Sequence, residues 1–160
     1  MNVIIVMGSK SDLSVMEEAA KILKDFGVEY SLRIMSAHRC PDEVAELAKG
    51  ARTAGAGCII AGAGMAAHLA GVIAAHTTLP VIAVPLDATL SGMDSLLAMA
   101  QMPPGIPVAT MGIGKPGAKN AGLLAVEMFA VSDAALADKL TRYRADMRAA
   151  VMAADAELGG

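Results

Sequence analysis

Near the start of the chain, Val3-Ile4-Ile5-Val6-Met7-Gly8-Ser9-Lys10-Ser11-Asp12 joins an apolar run to a polar turn. An uninterrupted apolar run of this length predicts a β-strand over Asn2–Met7 that is buried on both faces. The next residues predict a helix over 12–26 that ends at Gly27, because glycine readily adopts the left-handed conformation that terminates helices. A strand, a turn and a helix in this order begin a parallel βαβ unit.

The alternation of strands and helices continues along the chain. Further strands are predicted over 29–35, 58–61, 81–84 and 108–111. Further helices are predicted over 41–53, 65–76, 120–130 and 133–154, with one more that Ser91 caps and that runs through Ala100. The pattern predicts a single α/β domain over 1–160, with a doubly wound parallel five-stranded sheet in a core of about 2–130 and a C-terminal helix after it.

The composition is rich in small apolar residues. Apolar residues make up 55% of the chain and aromatic residues only 2%, so Ala and Gly occupy much of the apolar sequence. We expect closely packed backbones and some apolar surface buried between copies of the chain. The alternative is that alanine alone raises the apolar fraction.

Charge and cysteine content exclude several classes of protein. A net charge of −3 without any run of Lys or Arg argues against a nucleic-acid partner. The chain opens on the first strand with no basic leader, which predicts a cytoplasmic protein. Cys40 and Cys58 form no CxxC pair and indicate neither a disulfide framework nor a zinc site.

One stretch resembles a membrane span. Residues 53–86 contain no Asp, Glu, Lys or Arg and are long enough to cross a bilayer. However, several glycines and Pro80 interrupt the stretch, and His68 and His76 would be costly in lipid. Two buried parallel strands with a small-residue helix between them give the same pattern, so we expect no membrane partner.

Three loops that follow predicted strands hold most of the polar side chains of interest. They are Gly8-Ser9-Lys10-Ser11-Asp12, Ser36-Ala37-His38-Arg39-Cys40-Pro41 and Gly62-Ala63-Gly64-Met65-Ala66-Ala67-His68. In a doubly wound sheet, ligands bind at the carboxyl ends of the strands, where the strand order reverses. We therefore expect the three loops to meet in one site.

The first loop has the features of an anion site. Free backbone N–H groups and a helix dipole favour a phosphate at a turn between a strand and a helix, and Ser9 and Ser11 add hydroxyl donors. The loop is neither a Walker motif nor GxGxxG, which argues against nucleoside triphosphates and dinucleotides. The alternative is that Ser11 or Asp12 only caps the helix.

The second loop supplies the clearest chemistry. The imidazole of His38 can both give and take a proton near neutral pH, as a general acid–base must. Arg39 can hold a phosphate or carboxylate. A His-Arg pair in a loop is often only polar surface, but its position at the end of a strand favours function.

The third loop is lined by residues with little side chain. Gly62, Ala63 and Gly64 let backbone approach a flat ligand, although close packing of a helix on the sheet requires the same residues. His68 alone would be interpreted as a structural histidine, and so would His76. No spacing resembles a metal-binding motif, and a nucleophilic role for Cys40 is a minor alternative.

Taken in order, the motifs resemble those of the PurE family. They are Gly8-Ser9-Lys10-Ser11-Asp12, Ser36-Ala37-His38-Arg39, Gly62-Ala63-Gly64, Ala66-Ala67-His68-Leu69, Asp94-Ser95-Leu96, Gln101-Met102-Pro103 and Gly105-Ile106-Pro107-Val108. The resemblance extends from Val3 to about Ala130 and is closest to the mutase branch of the family. Two departures are Cys40, where the family usually has Thr, and Ala70, where Pro is common.

The resemblance implies a flavodoxin-like three-layer α/β/α subunit in a homo-octamer whose sites are shared between chains. It also implies an isomerase that converts 5-(carboxyamino)imidazole ribonucleotide to 4-carboxy-5-aminoimidazole ribonucleotide, with no cofactor or metal ion. His38 is then the acid–base residue. The substrate-binding residues implied are Gly8, Ser9, Ser11, Asp12, Ser36, Ala37, Arg39, Ala63, Gly64, Met65, Ala67, His68 and Leu69.

Two alternative functions stay open at this point. A related branch carboxylates aminoimidazole ribonucleotide directly with CO2 and usually has Lys where this chain has Arg39, so Arg39 favours the mutase. A non-catalytic flavodoxin-like module that binds a phosphorylated ligand is the other alternative. No aromatic pair is placed to hold a flavin, and no acidic cluster follows the first strand.

Overall fold

The computed structural model describes residues 2–159 and contains a five-stranded parallel sheet. The strands are β1 (Asn2–Met7), β2 (Glu29–Ile34), β3 (Ala56–Ala63), β4 (Val81–Pro85) and β5 (Ala109–Thr110). The helices are α1 (Leu13–Phe26), α2 (Pro41–Gly50), α3 (Leu69–His76), α4 (Met93–Ala100), α5 (Gly114–Ala130) and α6 (Ala134–Glu157). The strand order β2-β1-β3-β4-β5 is the flavodoxin-like order, which confirms the predicted fold class.

The sheet lies between two layers of helices. Side chains alternate along β1, so Val3 and Ile5 pack with α1 and α5, whereas Ile4 and Val6 pack with α2 and α3. Strands β1, β3 and β4 are buried almost throughout, which accounts for the charge-free stretch over 53–86. Among residues 2–159, no helix combines the length and apolar character needed to cross a membrane.

Small residues let helices α1 and α5 pack closely against each other, as the composition predicts. A Cβ atom on Gly122 of α5 would lie 2.9 Å from the carbonyl oxygen of Ala19 in α1. It would also lie 3.0 Å from Cβ of Ile22. Any larger residue at this position would therefore push α5 away from α1.

The predicted start of the third helix at residue 65 is wrong. Met65 has a φ of 58° and Ala67 a φ of 48°, so both are left-handed and cannot continue a right-handed helix. Helix α3 begins instead at Leu69. Residues 65–68 consequently belong to the loop at the carboxyl end of β3 and are available to a ligand.

Other boundaries differ by smaller amounts. Helix α5 begins at Gly114 rather than at residue 120, because Pro116 stands in its first turn, where no backbone N–H is needed. Ser91 does not cap α4, since its φ is 53° and Gly92 occupies the N-cap position. Asp133 caps α6 by accepting hydrogen bonds from two backbone amides.

Candidate active site

The loops that follow β1, β2 and β3 line one cavity of about 470 Å³ at the carboxyl edge of the sheet. This volume lies within the range typical of small-molecule sites. The cavity brings together every residue predicted for the site from the sequence: Gly8, Ser9, Ser11, Asp12, Ser36, Ala37, His38, Arg39, Ala63, Gly64, Met65, Ala67, His68 and Leu69. Their roles in binding and catalysis stay predictions.

The cavity also contains Ala66 and Ala88, which the prediction of site residues did not include. Ala88 belongs to the loop after β4 and lies against the loop after β3, since a Cβ atom on Gly64 would be 3.0 Å from Cβ of Ala88. The rule that ligands bind at the carboxyl ends of parallel strands applies to this fourth loop as well and could have identified it.

The first loop is held in shape by its own side chains. The backbone N–H of Ser9 donates to the Asp12 carboxylate at 2.9 Å, and the Ser11 hydroxyl donates to Ser9 Oγ at 3.0 Å. Ser9, rather than Ser11, is thus the N-cap of the short 3₁₀ turn Lys10–Asp12 that precedes α1. The Asp12 side chain completes the capping box of this short turn but makes no capping hydrogen bond to α1, so the cap expected for that helix is not formed. Ser9 and Ser11 both line the cavity.

Arg39 ties the second loop to the first. Its Nη2 atom donates to the carbonyl oxygen of Gly8 at 2.7 Å, which leaves the other guanidinium donors free for an anion. The turn that carries Arg39 is closed by the Ser36 carbonyl, which accepts from the backbone N–H of Cys40 at 2.9 Å. The guanidinium therefore lies against the backbone of the first loop at Gly8.

The cysteines play different structural parts. The Cys40 sulfur accepts from the backbone N–H of Ser36 at 3.1 Å and donates to its carbonyl oxygen at 3.2 Å, so it fastens the turn and does not line the cavity. Cys58 is buried in β3, and this burial raises the pKa of its thiol to about 12. A thiol with so high a pKa is protonated near neutral pH and is a poor nucleophile.

His38 and His68 form a hydrogen-bonded pair. Nε2 of His38 lies 2.7 Å from Nδ1 of His68, and the two rings meet edge to face with centroids 4.9 Å apart. One nitrogen of the pair must donate and the other accept, so this contact orients the His38 ring relative to His68.

The third loop has a strained backbone where it meets the cavity. Met65 and Ala67 both have positive φ, a conformation that costs a non-glycine residue about 1–3 kcal/mol. Residues in such conformations are concentrated at functional sites, because only a well-packed surrounding keeps them in place. Among the residues described, no three His, Cys, Asp or Glu side chains lie close enough together to hold a metal ion.

The fold and the cavity define an α/β protein of flavodoxin-like topology with a pair of histidines beside an anion-ready turn. The family model described as AIR carboxylase matches residues 2–150 of the chain. The chain therefore belongs to the AIR carboxylase family, in agreement with its resemblance to PurE proteins.

Individual relatives agree with this assignment. The chain is 55% identical over 145 residues to the N5-carboxyaminoimidazole ribonucleotide mutase of Pyrococcus abyssi, covering 90% of this chain and 82% of that one. It is 53% identical over 151 residues to the protein of the same name from Methanocaldococcus jannaschii, covering 94% and 93%. The crystal structure of Treponema denticola PurE superposes with a TM-score of 0.89 at 32% identity and covers 99% of this chain and 98% of that one.

Proposed function

We propose that this chain is an isomerase of purine biosynthesis that converts 5-(carboxyamino)imidazole ribonucleotide to 4-carboxy-5-aminoimidazole ribonucleotide. The observation that carries the proposal is 50–55% identity over about nine-tenths of the chain to relatives named as this mutase. The cavity supports it, because a histidine pair, an arginine and two serine hydroxyls suit a phosphorylated substrate whose reaction moves protons.

The reaction divides into two steps, and the CO2 released and the proton used in the first step are both recovered in the second. In the first step, the bond between the substrate nitrogen and its carboxylate carbon breaks, the electron pair stays on nitrogen, and His38 gives that nitrogen a proton. In the second step, carbon 4 of the imidazole attacks the released CO2, and the neutral imidazole of His38 accepts the proton that leaves carbon 4. One residue thus serves first as acid and then as base.

His68 acts on this reaction through His38. The 2.7 Å contact between their ring nitrogens holds the His38 ring in a single orientation. It also directs the opposite edge of the ring, with Nδ1, away from His68. A ring held in one orientation loses less conformational entropy when it aligns with the two substrate atoms that exchange protons with it. His68 is in this sense a positioning residue.

The phosphate end of the substrate has suitable donors in the first two loops. Ser9, Ser11 and Arg39 all line the cavity, and the serine hydroxyls and the guanidinium donors that do not bond to Gly8 suit a phosphate. Binding energy from a phosphate that does not react can be used to fix the reacting ring against His38.

We also propose that the chain works as a homo-octamer with shared sites. Its accessible surface is 8695 Å², whereas a folded monomer of 16.2 kDa is expected to expose about 7,500 Å². Helix α6 contributes to this exposed surface, since it has no buried residue and exposes Val151 at 68% and Met152 at 55%. Light scattering should give a mass eight times that of one chain, and a monomeric mass would contradict the assembly.

The cytoplasm is the compartment we propose. Both cysteines are free, and Cys40 is partly exposed, which suits a reducing environment. Cell fractionation that recovered the protein with membranes or outside the cell would contradict this proposal.

The proposed reaction can be tested by following the carboxylate carbon. The purified protein is given the carboxyamino substrate labelled with carbon-13 in its carboxylate, in a buffer rich in unlabelled bicarbonate. We expect the label to be retained on carbon 4 of the product. Loss of label together with product formation from aminoimidazole ribonucleotide and free CO2 would identify a direct carboxylase. Absence of product by either route would leave a binding module.

A further inference from the structure

Left-handed backbone in non-glycine residues is concentrated in two adjacent loops. In the described part of the chain, the positive-φ residues other than glycine are Met65, Ala67, Leu90 and Ser91. Met65 and Ala67 line the cavity, and the turn Leu90–Gly92 begins two residues after Ala88, which lines it too. Long side chains are disfavoured in this conformation, so a methionine held in it calls for an explanation at the site.

Met65 differs from the rest of the cavity lining in size and exposure. Among the described lining residues, only Met65 and Leu69 have large apolar side chains. Leu69 is 3% exposed and packs in the core, whereas Met65 is 61% exposed at the edge of the cavity. An unbranched thioether chain is flexible and adapts to irregular surfaces. Met65 is therefore the one large apolar side chain of the lining that the rest of this chain leaves uncovered.

The proposed reaction needs such a cover. CO2 is small and uncharged, so the charged and hydroxyl groups that hold the phosphate cannot retain it. Its retention depends on walls that close around it and keep water out during the interval between the two steps. Ala63, Gly64 and Ala67 line the cavity with a methyl group or no side chain, so they have no atoms that could fold over a bound ligand.

We infer that Met65 is a CO2-retention residue, whose side chain folds over the bound imidazole and slows the escape of CO2 before carbon 4 attacks it. The inference rests on the proposed mutase function and adds a role that binding alone does not require. Burying a methionine side chain over the cavity favours the closed state by on the order of tenfold. Removing the side chain should therefore increase escape without weakening the hold on the phosphate.

The test measures the fraction of carbon-13 label lost to unlabelled bicarbonate per turnover. Met65→Ala should raise that fraction by on the order of tenfold and weaken the affinity for aminoimidazole ribonucleotide by no more than the same factor, because the contacts to the phosphate are unchanged. Met65→Gly should lose label equally, and its backbone suits a φ of 58° without strain, so this variant should fold. Met65→Leu restores apolar bulk and should lose less label than Met65→Ala.

Leu90 provides the matched control. It has a φ of 44° and is 76% exposed, like Met65, but it does not line the cavity. Leu90→Ala should leave the label loss unchanged. If Met65→Ala loses no more label than the unchanged protein, or if Leu90→Ala loses as much as Met65→Ala, the inference is wrong. If the unchanged protein itself makes no product or retains no label, the proposed function fails first.

Discussion

Replacing His38 with asparagine should lower kcat by on the order of a hundredfold or more and leave nucleotide binding largely intact. Asparagine keeps a planar polar group that can still contact His68, whose Nδ1 lies 2.7 Å from the His38 ring. It cannot, however, accept the proton from carbon 4 or return one to nitrogen. The donors for the phosphate belong to other residues, so KM should change little.

The measurement is steady-state turnover together with equilibrium binding of aminoimidazole ribonucleotide. His76→Asn is the matched control, because His76 is exposed at the end of α3 and does not line the cavity. That variant should keep full activity. Turnover of the His38→Asn protein close to that of the unchanged protein would remove His38 from the mechanism and, with it, the two-step proton transfer proposed above.

The parallel sheet and the location of the cavity follow from features that a sequence carries directly. Strands such as Val3–Met7 are apolar on both faces because parallel strands are covered on both sides, and this pattern is local. Polar residues at the carboxyl ends of such strands must then meet at one edge of the sheet. The convergence of the three loops could therefore be predicted without knowing a single tertiary contact.

The start of α3 could not be predicted because tertiary contacts override local preference there. Met65, Ala66 and Ala67 are good helix formers, and their sequence predicts a helix that continues to His76. In the structure, Gly64 packs against Ala88, and the backbone N–H of Ala67 donates to the Gly64 carbonyl at 3.1 Å in a turn. Neither contact can be recognised from the sequence of residues 64–67.

The contact between His38 and His68 could not be predicted from the sequence either. The two residues follow β2 and β3, which are not neighbours, since β1 lies between them. Two strand spacings separate the strand ends by about 10 Å, so the loops must lean over β1 for the rings to meet. The conformation of each loop over β1 is set by tertiary packing. Without that information, the sequence by itself favoured a structural role for His68.

The closest backbone approach in the structure predicts the largest loss of stability. A Cβ atom on Gly117, in the first turn of α5, would lie 1.6 Å from the carbonyl oxygen of Gly112 and 2.5 Å from its carbonyl carbon. Both are backbone atoms, so no side chain can rotate away, and either α5 or residues 112–114 must move. Because Gly122 already holds α5 against the Ala19 carbonyl, the helix has little room to shift.

Gly117→Ala should therefore lower the free energy of unfolding by about 3 kcal/mol or more, at the upper end of the cost of overpacking. For a chain of this size, that loss corresponds to a fall of roughly 6–12 °C in Tm. Urea and thermal unfolding of both proteins at equal concentration measure it. Gly50→Ala is the control, since nothing lies within 4 Å of its Cβ position at the end of α2.

The two substitutions add the same methyl group to a helical glycine and should have opposite effects. Alanine at position 50 reduces the conformational freedom of the unfolded chain and should stabilise the protein by about 0.5–1 kcal/mol. If Gly117→Ala stabilised the protein to the same extent, α5 would have to begin differently from the turn described here. The close approach of residue 112 to the first turn of α5 would then not require glycine at position 117, whereas the packing of α5 on α1 at Gly122 would be unaffected.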